Sequence, residues 1–280
     1  MPMPPETTLA DIDWNLLWQN ARKQKSWSSK GAADWDKKAK SFASRNAGSP
    51  YASMLLAKLP LSPELTVLDM GSGPGTLAFP LAAKVRSVTA VDYSAGMLEA
   101  LNETARTENI KNIQTIQGAW EDDWQQLGIV PHDIVIASRS MAVADLHSAL
   151  QKLNKHAKGY VFIADRIAPT PFDPGAFAAT GREFQSGPDY IFTINMLYSM
   201  GIHPSIDILQ LEQDLVFADM EEALQNYGWM LKDLTALEMT ALEEYLTSRI
   251  IHTNGTQITI RRQHPPRWAL IWWKKDHNED

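Results

Sequence analysis

The chain is 280 residues long, 44% hydrophobic and 21% charged, enough apolar material for one sizeable core and a smaller attached unit. Its formal net charge of −7 runs against the basic footprint of a protein that grips nucleic acid through its phosphates. The absence of cysteine excludes disulfides, thiolate zinc sites, iron–sulfur clusters and a cysteine nucleophile.

The opening "MPMPPETTLADIDW" has no basic stretch followed by an apolar core, and no apolar run approaches the roughly 18–20 residues that cross a bilayer. A cytoplasmic address without a membrane partner is the expectation. From Asp11 to Asn46 the pattern is helical, with Trp14, Leu17 and Trp18 near i, i+3, i+4 spacing and Trp35, Ala39 and Phe42 repeating it. Asn-Ala-Gly-Ser-Pro at 46–50 interrupts it, and a further helix is expected from Tyr51 to Leu59, stopped by Pro60 and Pro63.

Between Leu65 and Asp165 strands and helices alternate: "TVLDM", a helix from about Gly75, "SVTAVD", a helix from about Ser94, "IQTIQG", "DIVIAS", a helix from about Asp145, and "GYVFIADR". The strands are short, rich in β-branched residues and almost continuously apolar, as in a parallel sheet covered by helices on both faces. The fold class is α/β, a doubly wound, mostly parallel sheet, whose ligand belongs at the carboxyl ends of the strands. Residues 166–205, rich in Pro and Gly and then apolar, read as an insertion over the sheet. After them come a strand, a helix capped by Asp219, another helix, and "TQITIRR" and "RWALIWWKK" as two antiparallel strands closing the sheet. Arg261, Arg262, Arg267, Lys274 and Lys275 flank those runs and read as strand-end and tail solvation rather than a nucleic-acid patch.

Chemistry concentrates at Asp69-Met-Gly71-Ser-Gly73-Pro-Gly75, a loop leaving one strand and entering a helix. A dinucleotide site wants its third small residue one place later, where Thr76 stands, and Asp69 would repel a pyrophosphate. An acid at that place suits a ligand carrying cationic groups. Asp92, ending "VTAVD", is placed to accept both hydroxyls of a ribose, although an Asp there also serves as a helix N-cap. Together these residues ask for a nucleoside with positive charge and no phosphate.

S-adenosylmethionine meets that description, and here the sequence resembles the class I S-adenosylmethionine-dependent methyltransferases: "VLDMGSGPG" is similar to their first motif, "VTAVDYSAGML" to the second-strand motif and "HDIVIASRS" to the fourth-strand motif. The resemblance covers roughly Tyr51 to Asp165, and the last two strands are similar in pattern to the family's closing hairpin. It implies a Rossmann-like, seven-stranded sheet with a C-terminal antiparallel hairpin, residues 1–50 as a helical lid, 51–280 as the methyltransferase domain and 166–205 as a substrate cap. It implies that Gly71, Gly73 and Gly75 contact the methionine part, that Asp69 orders it, that Asp92 binds the ribose and that Tyr93 and Met97 lie near the adenine. Many members carry Gly-Asp after the third strand; here the pair is Gly118-Ala119, so Ala119 and Trp120 are left to face the adenine by backbone or stacking.

Ser138, Arg139 and Ser140 follow the fourth strand, where the family's cofactor and substrate pockets meet. Ser138 is assigned to the cofactor, and Arg139 to a substrate carboxylate or the methionine carboxylate. The N/D-P-P-Y/F motif of many amino-group methyltransferases is replaced by "ASRS". Methyl transfer from a sulfonium is an in-line displacement in which alignment does most of the work and a general base is optional. No catalytic residue stands out: His203, Tyr198 and His147 are the candidates, each more often a packed or surface residue. Trp14, Trp18, Trp27 and Trp35, with the apolar stretch Phe192 to Met200, suggest an enclosed aromatic pocket, Trp35 and Tyr198 being assigned to the acceptor. The expected activity is methylation of a small molecule, with S-adenosylhomocysteine as product. RNA or protein as acceptor, a cofactor-binding module without catalysis and, last, a nicotinamide-dependent dehydrogenase are the competing readings.

Overall fold

The computed structural model describes residues 8–26, 31–37, 39, 50–212 and 214–275. Trp27, Phe42 and the break at 46–49 lie outside the described residues. The central sheet has the order β3-β2-β1-β4-β5-β10-β6. Its strands are β1 (Thr66–Met70), β2 (Ser87–Asp92), β3 (Ile113–Gln117), β4 (His132–Ser138), β5 (Ala157–Arg166), β6 (Ser205–Gln210) and β10 (Arg267–Lys274). The first five are mutually parallel, and β10 runs antiparallel to both β5 and β6. The chain winds outward from β1 through β2 to β3 and returns to β4, so the order reverses between β1 and β4, the place where such sheets bind ligands.

Successive residues of the central strands point to opposite faces, and both faces are packed. Leu68, Val135, Ile163 and Ile271 lie in one layer with α1 (Trp14–Gln24), α6 (Leu146–His156) and α8 (Tyr190–Ser199), and the short helix α2 (32–37) follows α1 in the chain. Val67, Ile134, Phe162 and Leu270 lie in the other, beneath α3 (Pro50–Leu56) and α4 (Ala78–Ala82), with Leu101 of α5 (Ala95–Thr107). Helix starts fall where capping chemistry puts them: the side chains of Asp13, Ser94 and Asp145 accept from the amides of Leu16, Met97 and Ser148.

One expectation is corrected. The last two strands do not form the closing hairpin: β9 (Ile258–Ile260) sits between β7 (Leu215–Phe217) and β8 (Ile250–Thr253) in a separate sheet, and the antiparallel partner of β10 is β6. Residues 211–266, between those partners, therefore form a satellite. The stretch 166–205 also divides. Its α8 packs on α1 and α6 in the main layer, whereas α7 (Pro174–Ala179) joins α9 (Met220–Tyr227), α10 (Ala236–Ser248) and the small sheet around Phe172, Phe177, Leu242 and Leu246. Alternation alone identifies a strand but not which edge it joins.

The satellite is pinned by a buried carboxylate. Asp173 accepts from the hydroxyls of Tyr227 (3.1 Å) and Tyr245 (2.9 Å) and caps α7 at the Gly175 amide (3.1 Å). Burial and the nearby Asp173 charge both raise the two phenols' pKa values, keeping them as donors. Among the described residues no helix is long and apolar enough to cross a membrane.

Candidate cofactor and acceptor site

The carboxyl ends of β1, β2, β4 and β5 converge on one rim. The amides of Gly71 and Ser72 both donate to the carbonyl of Val91 (2.7 and 2.9 Å), drawing the glycine loop over the end of β2. Gly71, Gly73 and Gly75 all have positive φ (77°, 55° and 93°), the region where a Cβ is costly. Their surroundings differ. A Cβ on Gly71 would fall 2.3 Å from Cβ of Ser140 and one on Gly75 2.6 Å from the Phe79 ring, whereas one on Gly73 would meet nothing within 4 Å. Gly71 and Gly75 are thus required by the protein's own packing, and Gly73 faces open space.

Asp69 stands at the end of β1, 1% exposed, and its Oδ2 is buried with no hydrogen-bond partner. Burial first, and then the neighbouring Asp92 carboxylate, pushes its pKa up to about 7. Asp92, also buried, accepts from the Gly73 amide through Oδ2 (2.8 Å) and from the Ser94 amide through Oδ1 (2.9 Å). It is not the cap of α5, a role taken by Ser94, and each of its oxygens keeps a second lone pair for a ligand hydroxyl. Two facing buried carboxylates, one with an orphaned oxygen, beside an open glycine cradle are the environment a cationic ligand relieves and a pyrophosphate aggravates. S-adenosylmethionine, with its ammonium and sulfonium, fits it.

Around this centre the other expected residues sort themselves. Met97 is buried, and Tyr93 is exposed beside Asp92. Ala119 is committed to its own turn: its amide donates to Asp122 (2.8 Å) and its carbonyl accepts from Trp124 (3.3 Å). Trp120 donates its indole N–H to the carbonyl of Ser140 (3.1 Å) and lies tilted against Trp124, joining the β3 loop to the β4 loop. Ser138 Oγ is 2.6 Å from the hydroxyl of Tyr51, and the Arg139 guanidinium lies over the Tyr51 ring, 4.3 Å from its centroid. Arg139 has φ 58°, an unusual conformation for a residue with a side chain, at the end of β4.

Tyr198 and His203 are not brought to this rim. They stack edge to face at 5.6 Å, both exposed, at the end of α8 that leads into β6. Since β6 starts alongside Trp272, and Trp272 pairs with Phe162 in the middle of β5, that end of α8 lies away from the carboxyl ends of the strands. His147 is in the first turn of α6, where its amide and that of Leu146 are held by Asn15 of α1. Trp35 lies in a short helical segment, residues 32–37, packed by Asp36 beside the second-strand loop.

Sequence reasoning gave Tyr51 and Asp36 no site role, and it named Ser140 and Trp18 near the pockets without the partners that hold them. Tyr51, fully buried, carries Ser138 and Arg139 and packs edge to face on Trp268 at 5.0 Å. Ser140 donates to the carbonyl of Met70 (2.7 Å) and fills the space that Gly71 leaves. Asp36 accepts from the Ser94 hydroxyl (2.6 Å) and the Gly96 amide (2.9 Å), tying the N-terminal segment to the start of α5. Trp18 donates to the carbonyl of Val143 (2.9 Å), docking α1 on the loop after β4. Ser140 alone had a local signal, a small residue just past a strand end and opposite a glycine loop. The others act through contacts distant in sequence.

Residues 61–201 match the family model described as a methyltransferase domain. An uncharacterized protein of Haemophilus influenzae is 34% identical over 246 residues, covering 86% of this chain and 89% of its own. Among solved structures, a putative methyltransferase from Bacillus halodurans superposes with a TM-score of 0.53 at 15% identity, covering 80% of this chain and 98% of that one. Coclaurine N-methyltransferase, solved with N-methylheliamine and S-adenosylhomocysteine, superposes with a TM-score of 0.50 at 14% identity, covering 96% and 89%. The chain belongs to the methyltransferase-domain family, as a class I S-adenosylmethionine-dependent enzyme with the Rossmann-like sheet described above.

Proposed function

We propose that this chain transfers the methyl group of S-adenosylmethionine to a small-molecule acceptor bound at the carboxyl rim of the sheet. The observation that carries the reading is the orphaned, buried Oδ2 of Asp69 beside the open Gly73 cradle, a site built for a cationic ligand. When bound, the cofactor supplies an electrophilic methyl carbon on a sulfonium. Asp69 holds the cationic methionine end, the Gly71–Gly75 loop lies against it, and Asp92 accepts from the ribose, its two backbone bonds fixing its rotamer. Met97, Tyr93 and Trp120 are assigned to the adenine side, and Ala119 contributes shape rather than a free amide.

On the acceptor side, Arg139 projects from the end of β4 on a platform of Tyr51 and Trp268, while Ser138, held by the Tyr51 hydroxyl, stays assigned to the cofactor. The N-terminal segment, held at α6 by Asn15, at the β4 loop by Trp18 and at α5 by Asp36, serves as the lid that excludes water. The satellite carrying α7 is the cap. No general base is assigned: Tyr51 has its phenol pushed up to about 12 by burial and stays protonated at neutral pH. The lid, the cap and the net charge of −7 support a small acceptor over RNA.

The test is to incubate the protein with S-adenosylmethionine labelled in the methyl group and an extract of small metabolites, in parallel with total RNA and total protein. Label in the acid-soluble fraction supports the proposal. Label confined to macromolecules overturns it, and S-adenosylhomocysteine binding without transfer in any arm identifies a cofactor-binding module.

A further inference from the structure

Beyond Arg139, a second group of cations meets at the acceptor mouth, where the end of α1 faces the loops after β4 and β5. Arg22 donates through Nη2 to the carbonyl of Ala142 (3.3 Å), three residues after Arg139, and its Nε is buried without a partner. Arg166, at the end of β5, donates through Nε to the carbonyl of Pro188 (2.8 Å). Gly187 (φ 73°) lies where both side chains cross: a Cβ there would meet Cβ of Lys25 at 2.7 Å, Nη2 of Arg166 at 3.0 Å and Cδ of Lys25 at 3.3 Å. Lys25 and Arg166 therefore share one small surface. The end of the lid is clamped over it by Ser26, whose amide donates to the carbonyl of Gln185 (3.0 Å) and whose hydroxyl accepts from the Gln185 amide (2.8 Å).

The charges pair unevenly. Glu121 faces Arg22, and Asp165 and Asp189 face Arg166, but the charged neighbours of the half-buried Lys25 are Arg22 and Arg166, both cations. Among the described residues no carboxylate pairs with Lys25 and no acceptor takes its ammonium hydrogens. Burial and then those two guanidiniums lower its pKa. A half-buried ammonium set beside two guanidiniums, with no carboxylate of its own among the described residues, works against folding unless a negative group joins it.

We propose that the methyl acceptor is an anion whose carboxylate or phosphate is held by Lys25, Arg22 and Arg166 at the mouth of the site. This rests on the methyltransferase reading of the same rim. Arg22 and Arg166 are held in place by the Ala142 and Pro188 carbonyls and offer their remaining guanidinium hydrogens, while Lys25 supplies a mobile point charge with all its hydrogens free among the described residues, a set that grips an oxyanion of either shape. The bound anion would also reinforce the hold of the end of α1 on the β4 and β5 loops, where Ser26 and Arg22 already tie it.

The test titrates malonate and inorganic phosphate into the protein at constant ionic strength, with and without saturating S-adenosylhomocysteine, by calorimetry and thermal shift. Binding of either anion, weakened at least about tenfold in Lys25→Met, supports the proposal, since loss of one charge-assisted contact is of that size. Lys25→Arg should retain binding, and Lys23→Met, exposed on the same helix, should match the wild type. Preference for malonate or for phosphate assigns the oxyanion. No binding of either, or equal binding in wild type and Lys25→Met, overturns it. An unchanged S-adenosylhomocysteine Kd in Lys25→Met shows the variant folded. Failure of the wild type to bind S-adenosylhomocysteine would count against the methyltransferase reading, while the arm without it still decides the anion site.

Discussion

Lowering the pH from 8 to 6 should weaken S-adenosylhomocysteine binding about tenfold, through the protonation of one side chain, Asp69. Its pKa, displaced by burial and by Asp92 from 3.8 to about 7, corresponds to about 4 kcal/mol held against the ionised form in the empty site. A ligand ammonium requires that ionised form. At pH 8 about nine-tenths of empty sites carry it and at pH 6 about one-tenth, so the apparent Kd rises by about that ratio. Calorimetry at pH 6, 7 and 8 in buffers of differing ionisation enthalpy should also register proton release near pH 7. Because the folded pKa lies above the unfolded one, the folded chain holds a proton that the unfolded chain has lost between about pH 4 and 7. Ligand-free stability therefore falls as pH rises through that window, opposite to a salt-bridged carboxylate. Asp69→Asn should bind more weakly at pH 8 and show no slope. A wild-type Kd constant from pH 6 to 8, or an equal slope in Asp69→Asn, refutes the reasoning.

Gly73→Ala should fold with a loss of about 1 kcal/mol from its positive φ yet bind S-adenosylhomocysteine at least about tenfold more weakly, because its methyl enters ligand space. Gly71→Ala, which collides with Ser140, should instead lose stability outright; equal melting temperatures in the two variants would contradict the distinction. Tyr51→Phe removes the hydroxyl that meets Ser138 and should cost about 1 kcal/mol in denaturant unfolding. Its pH–rate profile should keep the wild-type shape, and loss of a limb that rises with pH would identify Tyr51 as a base. Asp173→Ala leaves the hydroxyls of Tyr227 and Tyr245 without their acceptor and should cost on the order of 2–3 kcal/mol. Its S-adenosylhomocysteine Kd should stay within about twofold of wild type, since the satellite lies apart from the glycine loop.

The sequence by itself determined what depends on neighbours along the chain. The apolar runs of β1, β2, β4 and β5 could serve only in a sheet covered on both faces, and three glycines after Asp69, followed by Asp92, described a phosphate-free ligand. The cap at Asp219 and the helix starts near Ser94 and Asp145 were legible for the same reason, since a cap and the amide it holds lie within three residues, although the sequence offered Asp92 as the cap that Ser94 supplies. The tertiary structure decided everything that rests on contacts between distant segments. It took β9 away from β10 and gave its place to β6, because alternation describes a strand's faces and not its edge. It carried Tyr198 and His203 to the turn before β6, which starts level with the middle of β5. It also set Tyr51 under Arg139 and brought Lys25 to Arg166, pairs separated by most of a domain, where only packing decides which charges meet.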